Sequence, residues 1–164
     1  IAMKKIITAG SLLILFVAFL AACQKEENEI GPALDLFKAV PANKYYATDI
    51  LNGKPYDIYG NWRVVSTSGG LHGGGYASDF EYLLIKPNAV FGIVRNGELV
   101  TTGKIEVIND PNFDLLLHFV SDKPASEANV QLLYDFEKSV EIRADTLSLV
   151  SPCCDRFDTH LKKL

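Results

Sequence analysis

From residue 59 to the end of the chain, apolar and polar positions follow one another in short runs at strand spacing. Ile105 and Val107 flank Glu106, Val140, Ile142 and Ala144 alternate with Glu141 and Arg143, and Leu147 and Leu149 enclose Ser148. No long stretch keeps a helical period. The runs 59–67, 80–86, 89–95, 98–108, 113–120, 130–136, 140–144, 146–150 and 157–164 predict about nine β segments. Asn96-Gly97 is the clearest hairpin signal, because both central residues of its turn need positive φ. Pro87-Asn88 and the Asn109–Asn112 stretch mark further turns, and 121–129 reads as a polar loop. Short turns between successive segments favour an up-and-down meander. The predicted fold is all-β: an antiparallel, eight-stranded, up-and-down barrel after a disordered N-terminal tether. Closure removes the exposed edges. Such a barrel is either filled by side chains or holds one small ligand.

The N-terminal part has another pattern. Lys4-Lys5 precede an almost wholly apolar run from Ile6 to Ala22, as in a secretory signal peptide. The alternative, a spanning helix, is at the lower edge of the needed length and is interrupted by Gly10 and Ser11. Leu20-Ala21-Ala22-Cys23 resembles a bacterial lipobox. That resemblance implies cleavage before Cys23, acylation of the cysteine and attachment to the membrane through N-terminal acyl chains. Two or three chains make a lasting anchor where one binds only marginally. Gln24, rather than Asp, after the cysteine would favour the outer membrane in proteobacterial lipoproteins, and Lys25–Glu29 resembles the lysine-plus-acids tag of surface-exported Bacteroidota lipoproteins, or reads as a solvated tether. The expected organisation is a signal peptide over 1–22, a lipidated tether and extension over 23–57, and a barrel domain over 58–164. Within the extension, Ala33–Val40 is a short amphipathic piece that Pro41 stops.

Composition narrows the function classes. The net charge is −4, which argues against nucleic-acid binding through positive charge, and an apolar share of 48% argues against intrinsic disorder. The chain is too short for a multi-domain enzyme. With Cys23 used for lipid, Cys153 and Cys154 remain. As neighbours they read as two thiols packed at a barrel end, a strained vicinal disulfide, or a metal or redox pair.

Gly60-Asn61-Trp62 on the first predicted strand is similar to the Gly-x-Trp motif that opens the lipocalins and related calycins. With Asp79–Tyr82, the Arg95–Gly97 hairpin and the 152–156 segment, residues 58–164 resemble small lipocalin-like lipoproteins of Bacteroidota. The resemblance implies that Gly60 and Trp62 close one barrel end and that an arginine packs over the indole. Arg156 is the first choice for it and Arg143 the second. The second lipocalin motif, Thr-Asp-Tyr, has no counterpart here.

The glycine-rich stretch Gly69–Gly75 reads as a lid at the barrel mouth, since no Gly-Lys-Ser/Thr follows it. His72 and Tyr76 are then lid residues that could touch a ligand. Tyr82, Leu84, Phe91, Ile93, Leu115, Leu117 and Phe119 are the expected interior, as core or as the lining of an apolar pocket. His118 alternates onto the other face and reads as a surface residue. His160 and Asp158 share a strand face with Asp155 nearby, but no third ligand at metal spacing is indicated. Ser68 lacks a nucleophile elbow. No catalytic set, metal or cofactor is expected, and oligomeric state is not legible. Three functions are consistent with these features. The first is a non-catalytic lipoprotein binding a small apolar ligand. The second is a filled barrel recognising a protein or glycan. The third is an enzyme on the same fold.

Overall fold

The computed structural model describes residues 30–69, 75–134, 137–153 and 156–164, and of Tyr76 the backbone only. Eight strands close into an antiparallel up-and-down barrel: β1 (Gly60–Gly69), β3 (Tyr82–Lys86), β4 (Val90–Arg95), β5 (Glu98–Ile108), β6 (Leu116–Ser121), β7 (Lys138–Arg143), β8 (Thr146–Val150) and β9 (Phe157–Lys163). A two-residue arm, β2 (Gly75–Tyr76), pairs with the far end of β1. Each remaining strand pairs with its successor, and β1 pairs with β9 to complete the ring. The Asn96-Gly97 turn has positive φ at both residues, 54° and 72°, as its sequence predicts.

β1 carries a bulge between Val64 and Ser66. An extra residue shifts the inward set from Trp62 and Val64 to Thr67, and it leaves Val65 pointing into solvent at 61% exposure.

The interior holds one cluster with contributions from all eight strands. Trp62, Leu83, Ile85, Phe91, Ile93, Ile105, Leu117, Phe119, Val140, Leu147, Leu149 and Leu161 are among its members. Phe91 and Phe119 meet edge to face, with centroids 5.3 Å apart and planes at 79°. Each such large side chain stabilises the fold by roughly 1.5–3 kcal/mol through burial.

A second cluster lies outside the barrel wall. Helix α1, residues 30–39, packs Ile30, Ala33 and Phe37 onto Tyr82, Leu84, Val90 and Val94. Tyr82 and Leu84 therefore do not face the interior. Their partners on the interior side are Leu83 and Ile85, so the expected phase of β3 is reversed. The cause is that β3 and β4 are buried on both faces, which removes the alternation that reveals phase. Gly92 makes the close approach of α1 feasible, since a Cβ there would lie 2.7 Å from the Phe37 ring. Lys86 donates from Nζ to the carbonyls of Phe37 and Val40, satisfying the end of the helix, and its ammonium lies 4.7 Å from the Phe37 ring centre. From residue 30 on, the extension is part of the folded body.

The segment 130–136 is not a strand over its described part. Gln131–Leu133 forms a 3-10 turn after the one-turn helix α2 (Ala125–Ala128). Ala128, Val130, Leu132 and Leu133 insert into the interior cluster. An apolar run of this length has no period to distinguish a strand from a plug, and here it plugs one end of the barrel.

Candidate functional site

Both barrel ends are built from side chains that the strands position. At the lower end Trp62 is 1% exposed, and its indole Nε1 donates to the Ile58 carbonyl at 2.9 Å. The cation over the indole is Lys163, with Nζ 5.3 Å from the ring. Register gives the reason: Trp62 pairs with Lys163 on β9, whereas Arg156 precedes Phe157, which pairs with Gly69 at the opposite end. Arg156 is thus seven residues, about 23 Å of strand, from the position opposite the indole. Arg143 lies at the lower end, but its side chain is 88% exposed and faces Glu141 at 3.6 Å. Gly60, at φ 135°, begins β1 beside the Lys163 stem.

Residues 41–59 cover the lower end. Tyr46, Ile50, Leu51, Tyr56, Ile58 and Tyr59 pack on the interior cluster. Tyr59 donates its hydroxyl to Asp49, and burial together with that carboxylate pushes the phenol pKa well above its ordinary value. Asp122 holds the segment to the wall, accepting from Lys44 Nζ at 2.7 Å, Tyr45 hydroxyl at 2.6 Å and Thr102 Oγ1 at 2.6 Å. Burial works to raise its pKa, but the three donors prevail and keep it below the ordinary value. Tyr45 and Tyr46 are thus engaged in holding this segment.

At the upper end sits a polar group that the sequence reading missed. Lys138 is 1% exposed inside the barrel, and its Nζ donates to Ser151 Oγ at 2.7 Å and to the Phe157 carbonyl at 2.5 Å. Thr67, Asp79, Gln131 and Thr159 surround a space of about 10 Å³, room for roughly one water. Asp79 accepts the Gln131 N–H at 2.5 Å, and Arg95 donates to the carbonyls of Ala128 and Asn129, so polar bonds fix the plug. The period of two from Ile142 and Val140 leads back to Lys138. That spacing could have located it, had a lysine been accepted as inward-facing.

The remaining expected site residues divide among these regions. Phe91, Ile93, Leu115, Leu117 and Phe119 lie in the interior cluster, packed against one another. His72 and most of the Gly69–Gly75 lid, the side chain of Tyr76, Cys23 with the whole leader, Cys154 and Asp155 lie outside the described residues. Cys153 is exposed, not packed at the barrel end. His118 is on the outer face, 3.6 Å from Glu106. His160 Nδ1 lies 2.9 Å from Ser148 Oγ, while Asp158 accepts the Ser151 N–H, so the two do not converge. Among the described residues no group of three metal-ligating side chains occurs.

An open groove of about 550 Å³ lies on the outer wall. It exists because β6 and β7 stay paired for only two residues, Leu116 with Ser139 and Leu117 with Lys138. After one more bond, from Val140 N–H to the Leu115 carbonyl, the strands part. Asn112, Phe113, Asp114 and Tyr56 form one side of the groove and Ser139–Arg143 the other, and it runs over β7 to Val150–Pro152 at the end of β8. The Tyr56 hydroxyl donates to Asp114 at 3.3 Å, and loss of solvation with that carboxylate raises the phenol pKa.

Comparison with family models, curated proteins and solved structures finds no match to this chain. The fold defines a class by architecture: a closed eight-stranded antiparallel barrel with a plug at one end, a covering segment at the other and a helix along its wall.

Proposed function

We propose that this chain is a lipid-anchored, non-catalytic barrel that presents its outer surface to a macromolecular partner at the outer membrane, facing the cell exterior. The observation that carries this reading is the filling of the barrel. Its interior side chains pack into one cluster, and both ends are covered by the chain's own segments. An interior of this kind is core, and recognition falls to the wall and the loops. The Leu20–Cys23 stretch supports the anchor, and Gln24 with the charged tether supports the address. The likeness to lipocalins in Gly60 and Trp62 then bears on barrel closure more than on ligand carriage.

The test is native mass spectrometry of the full chain extracted from membranes. We expect a species carrying acyl mass on Cys23 and no second, exchangeable lipid. A stoichiometric apolar ligand, with a rise in Tm on adding fatty acid, would restore the carrier reading. Protease shaving of intact cells should release the domain; protection until lysis would refute the surface address.

A further inference from the structure

We infer that the groove between β6 and β7 receives an extended polypeptide segment that adds as a short antiparallel strand to β7 and carries a basic side chain outward beside Glu141 and Asp114. This rests on the reading of the barrel as a partner-binding module and names the partner's chemistry. Val140 directs its N–H toward β6, where it meets the Leu115 carbonyl. By the two-residue period of a strand, Ile142 directs its N–H and C=O to the same side. Among the described residues those two groups have no backbone partner there, because β6 has already turned away. The other side of Ile142 faces Leu147 of β8, so the ladder is complete on one edge and open on the other. An open donor and acceptor at strand spacing match one thing best, the main chain of another extended segment. The groove of about 550 Å³ is where such a segment would lie.

Charge selects which segment. Glu141 is matched by Arg143 at 3.6 Å, but Asp114 on the opposite wall has only the Tyr56 hydroxyl as a described partner. The groove is therefore acidic by one uncompensated carboxylate. A residue opposite Ile142 points inward with it, toward the barrel seam; the neighbour opposite Glu141 points outward between Glu141 and Asp114, and the other neighbour lies opposite Arg143. The fitting sequence has a β-branched residue at the centre, lysine or arginine on the Glu141 side and an uncharged polar residue on the Arg143 side.

The experiment is hydrogen exchange on the intact chain in detergent, with a blocked pentapeptide Thr-Thr-Val-Lys-Thr as the probe. At a concentration ten times its Kd, exchange of the Ile142 amide should slow about tenfold. The same peptide N-methylated at valine, which cannot donate to the Ile142 carbonyl, should protect at least threefold less. Replacing the peptide lysine by glutamate should do the same, and Asp114→Asn should weaken the preference between the two charged forms. Should that variant fold poorly, the charge-swapped peptide on the unaltered chain tests the same point. No protection at Ile142 with millimolar peptide, or equal protection by the N-methylated form, overturns the proposal. A macromolecular partner that binds the chain without competition from the peptide would also overturn this seam, while leaving the broader reading of the barrel in place.

Discussion

The β3–β4 wall and the β7–β9 wall are made by the same meander, yet they carry opposite environments. β7, β8 and β9 bury one face and expose the other: Val140, Leu147, Leu149 and Leu161 point in, while Glu141, Ser148 and His160 point out. β3 and β4 bury both faces, because α1 covers the outer one with Ile30, Ala33 and Phe37. The difference shows how a small barrel enlarges its core. A single helix converts half-wet strands into a three-layer sector, and a glycine at position 92 supplies the space. It also explains where the barrel is weak. The covered sector is continuous, whereas the β6–β7 seam opens where no helix lies.

Substitutions rank these environments. Trp62→Ala should have the largest effect, removing a buried indole and its bond to Ile58, at about 3–5 kcal/mol. Denaturant unfolding measures this, and a loss below about 1 kcal/mol would mean that the lower end is not closed by the indole. Leu84→Ala comes next. On a wet outer face it would cost a few tenths of a kcal/mol; beneath α1 it should cost roughly 2–5 kcal/mol. The same measurement on Leu84→Ala therefore decides whether the covered sector is core.

Asp122→Asn tests the attachment of the lower covering segment and should cost about 1 kcal/mol at neutral pH, since the site is partly exposed. The folded pKa of Asp122 is below its ordinary 3.8. Its stabilisation is thus present above pH 3.8 and lost as pH falls through the lower folded value. Lys44 adds the complement: its pKa is raised above 10.5, so its share is present below that pH and lost as pH rises through the folded value. The Tm difference between Asp122→Asn and the parent should shrink in acid below pH 3.8; a constant difference would break the assignment. Smallest of all, Arg143→Ala on the wet wall should change stability by less than about 0.5 kcal/mol, as read by thermal melting.

Much of the fold was legible from residues alone. Alternation in 140–149 and the Asn96-Gly97 turn located strands correctly, and short connections pointed to an up-and-down barrel. The phase of β3 was not legible, because Tyr82-Leu83-Leu84-Ile85 is apolar on both faces and alternation has nothing to contrast. Nor was the plug, since Val130–Leu133 offers apolar residues without a period. The cation over Trp62 was assigned to the wrong end of β9, because proximity in a barrel follows register and only pairing shows which residues meet. Of the candidate site, inward-facing Phe91, Ile93, Leu117 and Phe119 could be read, but Lys138 and the groove could not.

The sequence by itself determined the local facts: which stretches extend, where they turn, and where charge and apolar character lie. These depend on side-chain chemistry and near-neighbour spacing. Only the tertiary structure decided that the interior is core, that α1 belongs to the wall, and that β6 parts from β7 at Val140. Those outcomes depend on which surfaces far apart in the chain fill each other's volume, and close packing has no signature in any one segment.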